Sequence, residues 1–134
     1  MNKLGASIEE FLDQKTWAVI GASLDTNKYG YKVYQQLKRA GYNVYPINPK
    51  LESIEGDPCY PNLAALPEKP DAISVVVPPQ ITEQVVNQCI NLGIKRVWMQ
   101  PGSENPAAIQ KGEENGVEVV YNQCVLIETQ NKIK

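Results

Sequence analysis

The sequence predicts an α/β fold: a single doubly wound parallel sheet of five strands, with an extra helix at the N-terminus. Three observations predict it. Short apolar, β-branched runs alternate with amphipathic helical segments from end to end. One run, Ala72 to Val77 (AISVVV), is continuous enough for a strand buried on both faces. Gly41, Gly93 and Gly116 each follow the last periodic residue of a helical segment, where a helix stop belongs. Strand–helix–strand connections are right-handed crossovers, which build parallel sheets covered on both sides. The expected strand order is 3-2-1-4-5.

The elements follow in order. Ile8, Phe11 and Leu12 share one face of a short helix, with Ser7 as its N-cap. Thr16 to Ile20 (TWAVI) is the first strand, ending at Gly21. Tyr31 to Ala40 is a helix carrying Val33, Leu37 and Ala40 on one stripe, and Gly41 ends it. Asn43 to Asn48 is the second strand, and Pro46 within it marks an edge or a strand end. Pro49 to Pro61 reads as loop, and Leu63 to Leu66 as one helical turn. The third strand is Ala72 to Val77. A helix from Thr82 to Leu92 follows, its stripe made of Val85, Val86, Cys89, Ile90 and Leu92. Arg96 to Met99 is the fourth strand. Asn105 to Asn115 is a helix that opens on Pro106, a position proline tolerates. Val117 to Tyr121 is the fifth strand, and Val125 to Gln130 a last short helix. No repeat, low-complexity tract or linker divides residues 1–134, which read as a single domain.

Composition narrows the function. The chain has 134 residues, 43% hydrophobic and 21% charged, enough for a core without staples. Thirteen basic against fifteen acidic residues give a net charge of −2, which argues against a nucleic-acid binder. No apolar run is long enough to span a bilayer, and residues 1–14 lack the core of a signal peptide. Cys59, Cys89 and Cys124 are odd in number and widely spaced, so the chain reads as reduced and cytoplasmic, without a metal site. There is no histidine. That removes Ser-His-Asp and Cys-His pairs and phosphohistidine chemistry. No pair of carboxylates is aimed at a common point, so no catalytic residue is assigned.

In an open parallel sheet, ligands bind beyond the carboxyl ends of the strands, where the strand order reverses. After the first strand, Gly21-Ala22-Ser23 leads to Gly30 and Tyr31 at a helix N-terminus, whose free N–H groups favour an anion. The turn is not G-x-G-x-x-G, and an ordinary strand–helix turn explains it as well. After the second strand comes Asn48-Pro49-Lys50. An NAD site usually holds an acid there. Lysine instead favours a ligand with phosphate near its ribose, such as coenzyme A or NADP, although a solvated lysine is the bland alternative. After the third strand, Pro78 and Pro79 fix an extended backbone, able to wall an adenine or a pantetheine arm or simply to stiffen a turn. Gln100-Pro101-Gly102-Ser103 and Asn122-Gln123-Cys124 close the same rim. Cys124 is either a thiol facing the pocket or a small buried hydrophobe; Cys89 belongs to the core and Cys59 to an exposed loop. Tyr29, Tyr31, Tyr34, Tyr42 and Tyr45 either flank a nucleotide or are half-buried with wet hydroxyls.

These blocks together carry a resemblance. Val19-Ile20-Gly21-Ala22-Ser23, Ile47-Asn48-Pro49-Lys50, Val76-Val77-Pro78-Pro79, Trp98-Met99-Gln100-Pro101-Gly102 and Asn122-Gln123-Cys124 occur in order, each at a strand end. The chain resembles the small stand-alone CoA-binding domain family and is similar to the N-terminal domain of the succinyl-CoA synthetase α subunit. The resemblance covers roughly Thr16 to Glu128 and implies a Rossmann-like domain that binds coenzyme A. It implies phosphate contacts from Gly21, Ala22, Ser23 and Lys50, and a wall from Val77 and Pro78. Gln100 matches a further contact only loosely. The sequence departs from the synthetase in lacking a second domain and a phosphate-carrying histidine, so thioester ligation by this chain alone is not expected.

Three readings compete. The first is a module that binds CoA or an acyl-CoA without catalysis, alone, with a protein partner or as a homo-oligomer. The second is an NAD(P)-dependent enzyme, against which the missing acid counts. The third is thiol exchange between Cys124 and CoA, which needs a thiolate.

Overall fold

The structure, a computed structural model, describes residues 3–132. Helix α1 (Lys3–Leu12) comes first. Five parallel strands form the main sheet: β1 (Thr16–Ile20), β2 (Asn43–Ile47), β5 (Ala72–Val75), β6 (Arg96–Met99) and β7 (Glu118–Val120). A small antiparallel hairpin, β3 (Ser53–Ile54) and β4 (Asp57–Pro58), lies between β2 and β5 in the chain. Helices α2 (Tyr29–Arg39), α3 (Pro79–Leu92) and α4 (Pro106–Glu114) lie between strands of the main sheet, and α5 (Val125–Glu128) follows the last. The α/β class, the parallel sheet and its five strands are as the sequence predicts. No helix among the described residues is long and apolar enough to cross a membrane.

Side chains alternate between two cores, as the period of two requires. On β1, Ala18 and Ile20 join the core beneath α3 and α4, with Val85, Val86, Cys89 and Ala108. Trp17 and Val19 join the core beneath α1, α2 and α5, with Phe11, Val33, Leu37 and Val125. Phe11 meets Trp98 edge-on at 5.8 Å and Trp17 at 6.2 Å, which anchors α1 on the sheet.

The strand order is a correction. It runs β2-β1-β5-β6-β7, so the third large strand lies on the far side of β1 and not outside β2. Pro46 supplies the physical reason. The N–H and C=O of one strand residue point to the same side. The Pro46 carbonyl accepts from Tyr60 N, on the side away from β1, so the missing N–H also faces outward. No continuous ladder can form on that edge, and only an isolated bridge between Ile47 and Tyr60 does.

Other boundaries shift for local reasons. Helix α1 runs through Ser7, which is therefore not its cap. Pro79 occupies the first turn of α3 instead of an extended wall. Leu92, expected on the apolar stripe of α3, is 40% exposed. Gly41 and Gly93 both adopt positive φ at helix ends, as expected. The stretch that reads as loop in the sequence contains the β3–β4 hairpin. Its turn puts Glu55 at φ 50° and Gly56 at φ 87°. Helix α2 holds it: the Tyr31 hydroxyl donates to Glu55 at 2.6 Å, and Tyr34 and Lys38 both donate to Asp57. Burial would raise the Asp57 carboxyl, but those two donors outweigh it and hold it below the usual range. Cys59, expected exposed, is buried, and burial raises its thiol.

Candidate functional site

The strand order turns back between β1 and β5, so a ligand site is expected over their carboxyl ends. Two glycines shape that point. Gly21 leaves β1 at φ 94°, and a Cβ there would lie 2.1 Å from the Val76 carbonyl oxygen. A Cβ on Gly30, in the first turn of α2, would lie 2.0 Å from the Gly21 carbonyl oxygen. Glycine at both positions lets the first turn touch the backbone after β5 and lets α2 start directly on that turn. The spacing differs from G-x-G-x-x-G, but close backbone approach is achieved.

The loop after Gly21 winds on itself. Ser23 Oγ accepts from Asp25 N at 3.0 Å, and Asp25 Oδ1 accepts from Asn27 N at 3.0 Å. Lys28 precedes α2 and caps it with no side-chain hydrogen bond. Asn48 ties the second loop to the first. Its Nδ2 donates to the Ala22 carbonyl at 2.9 Å, and its Oδ1 accepts from Lys50 N at 2.9 Å. Gly21 N also donates to the Ile47 carbonyl. The Gly-Ala-Ser turn and the Asn-Pro-Lys turn therefore form one hydrogen-bonded unit, with the Lys50 side chain exposed beside it.

The third and fourth loops are fastened in the same way. Val77 N donates to Ser103 Oγ at 3.0 Å, and Thr82 Oγ1 donates to the Ser103 carbonyl at 2.7 Å. Gln100 is fully buried. Its Nε2 donates to Ser74 Oγ at 2.9 Å, and its Oε1 accepts from Val125 N at 3.0 Å and from the Tyr29 hydroxyl at 3.3 Å. That one amide links β5, the end of β6, α2 and the entry to α5. Tyr29 also meets Cys124 Sγ at 2.5 Å, and burial and this thiol together hold its phenol protonated beyond its ordinary range.

These loops line an open cleft of about 520 Å³, a size suited to a small molecule or part of a larger one. Val76, Val77 and Pro78 line it from one turn, and Pro101, Gly102 and Ser103 from the next. Tyr29 and Cys124 complete it, and none of the eight is charged. Of the residues singled out in the sequence, Val77, Pro78 and Cys124 line this cavity, Cys124 as the pocket-facing thiol of the two readings given for it. Gly21 packs directly behind Val77, and a Cβ on it would lie 3.0 Å from Val77 Cγ1. Ala22 is wholly buried, and Gln100 supports the cavity from below. Ser23 and Lys50 stand outside the lining, on the adjoining loops. Sequence reasoning does not assign Tyr29, Ser103 or Asn48 to the site. Each belongs to a strand-end block or to the tyrosine cluster, but nothing local shows which side chain turns inward.

Comparison with known proteins gives a consistent picture. A family model described as a CoA-binding domain matches residues 15–130. An ADP-forming acetate–CoA ligase of Archaeoglobus fulgidus is 30% identical over 128 residues, covering 88% of this chain and 19% of that protein. The chain thus spans about a fifth of the length of such ligases. A solved structure of a hypothetical protein from Pyrococcus horikoshii OT3 superposes with a TM-score of 0.89 at 35% identity. It covers 94% of this chain and 89% of that one. The apo dinucleotide-forming acetyl-coenzyme A synthetase 1 of Ca. Korarchaeum cryptofilum gives a TM-score of 0.74 at 27% identity, over 84% of this chain and 27% of that one.

Proposed function

The chain belongs to the CoA-binding domain family, and on that premise we propose that it binds coenzyme A or an acyl-CoA through its strand-end loops. The observation that carries the reading is the meeting of two facts. The family match spans the whole sheet, and the uncharged cleft lies over the carboxyl ends of β5 and β6, beside the switch point between β1 and β5.

CoA has a neutral arm and a highly charged phosphate end, and the site divides in the same way. Uncharged Val77 and Pro78 suit the neutral arm or the adenine. The phosphates fit the turn at Gly21, Ala22 and Ser23, beside the uncapped start of α2. Lys50, fixed by Asn48 to that turn, supplies the point charge for a phosphate. Gln100 acts from behind, because its amide is already engaged at both ends. The reading includes no thioester ligation by these residues, because this sequence has no histidine to carry phosphate. It includes a cytoplasmic location, which the three unpaired thiols favour.

The test is calorimetric titration with CoA, dephospho-CoA, acetyl-CoA, NAD and NADP in one buffer. Saturable CoA binding that weakens with dephospho-CoA is expected. Failure of every CoA form to bind overturns the reading. Tight NADPH binding with hydride transfer would replace it by the dehydrogenase reading.

A further inference from the structure

The cavity wall holds one nucleophile that the binding reading leaves unused. Cys124 is half-buried, and its Sγ lies 2.5 Å from the Tyr29 hydroxyl. Gln100 Oε1 receives both Tyr29 and the N–H of Val125, the residue after the thiol. One buried amide thereby fixes both members of the pair. The other thiols are withdrawn. Cys89 is fully buried in the core under α3, where burial pushes it up to about 12. Cys59 is buried against the Asn48 carbonyl, 3.7 Å from its Sγ. Of the three thiols, Cys124 alone lines the cavity. The cleft that Cys124 lines is itself a pointer to a ligand. It is uncharged, while the family that the chain belongs to is named for a ligand that ends in a thiol.

We propose that Cys124 is a thiol–disulfide exchange site for the disulfide of coenzyme A, held with one uncharged arm in this cavity. The proposal rests on the CoA-binding reading above. Cys124 loses its proton and its sulfur attacks one sulfur of the CoA disulfide. A Cys124–CoA disulfide forms as the original S–S bond breaks. The second CoA leaves as thiolate and takes up the proton. The Cys124 sulfur is oxidised and the departing CoA sulfur is reduced, so the CoA disulfide is the only oxidant required. Tyr29 is a positioning residue: its phenol stays protonated, and its single O–H turns from Gln100 Oε1 to the sulfur as Cys124 loses its proton. The outcome is reversible occupation of the site, which blocks reduced CoA while the mixed disulfide persists.

Intact-mass analysis with peptide mapping tests this, using CoA disulfide and oxidised glutathione at equal concentration. A single CoA adduct on Cys124 is expected. It should form roughly tenfold faster than the glutathione adduct, because a bound disulfide reacts at raised effective concentration. Desulfo-CoA, which lacks the thiol, should slow the CoA reaction and leave the glutathione reaction unchanged. Cys124→Ser and Cys124→Ala should both give no CoA adduct, while Cys89→Ala should form it at the parent's rate. Equal rates with both disulfides, or an adduct on Cys59, overturn the proposal. So does CoA binding in calorimetry without any adduct, which leaves the binding reading standing. Absence of CoA binding overturns the binding reading itself.

Discussion

Gly21 touches Val76 through backbone alone: a Cβ on Gly21 would lie 2.1 Å from the Val76 carbonyl oxygen and 2.9 Å from its carbonyl carbon. Two strand-end loops meet at that contact, and the proposed ligand path runs beside it. Gly30 repeats the arrangement against Gly21, 2.0 Å from its carbonyl oxygen.

Gly21→Ala should therefore be strongly destabilising. The residue sits at φ 94°, and its neighbour is backbone that cannot step aside. A loss of roughly 3 kcal/mol is expected from strain and clash together, read from urea unfolding. Gly30→Ala is the sharper test. Alanine normally stabilises a helix by about 1 kcal/mol over glycine. Here it should destabilise instead, and a stabilised Gly30→Ala protein would contradict the close approach.

Lys50→Ala separates phosphate recognition from folding. The side chain is exposed, so unfolding should change by no more than about 0.5 kcal/mol. CoA affinity should fall about tenfold, the scale of one charged hydrogen bond. Dephospho-CoA affinity should change little if Lys50 meets the ribose phosphate. An equal loss for both ligands would move Lys50 to the pyrophosphate, and no loss for either would remove it from the site.

Much of the fold is legible because its signals are local. The run Ala72–Val75 is buried at every residue, and Gly41 and Gly93 end helices where periodicity stops. The order of strands differs from the expected one, although the residue that decides it stands out in the sequence. Pro46 is an edge signal, and applying that signal to the outer edge of β2 excludes a third strand there. The hairpin at Ser53–Pro58 escapes sequence reading for a different reason. Its turn uses Glu55-Gly56 and not Asn-Gly, and the left-handed Glu55 is held by Tyr31 and Gln35, far away in sequence. In the site, loop tips are legible as blocks. Which side chain turns inward depends on long-range bonds such as Asn48 to Ala22 and Tyr29 to Cys124, which no local pattern encodes.

Gln100→Leu tests the support beneath the cavity. The substitution keeps the approximate size and removes all three bonds of the amide. Ser74 Oγ and Val125 N would be left buried without this partner. Stability should fall by about 3 kcal/mol on the scale of unsatisfied buried groups. CoA affinity should weaken as well, because Tyr29 and the Val125 N–H next to Cys124 lose their common anchor. A variant as stable as the parent would show that the amide is not the linchpin of the four elements it joins.

Asp57 gives the hairpin a pH dependence of predictable sign. Its carboxyl is held below the ordinary value of 3.8 in the folded protein, where burial is outweighed by bonds from Lys38 and Tyr34. A depressed folded value means the stabilisation is present above the unfolded value and disappears as pH falls through the folded one. The Lys38–Asp57 pair is more than a third exposed on both sides, so solvent screening limits the effect to under about 1 kcal/mol. Asp57→Asn should accordingly lower the urea midpoint slightly near neutral pH, and parent and variant should converge in acid, as pH falls through the parent's depressed folded value and its carboxylate is protonated. Added salt should narrow the neutral-pH gap, since screening acts on exposed pairs. A gap that persists unchanged into acid would mean that Asp57 acts through packing of the β3–β4 turn on α2 and not through its charge.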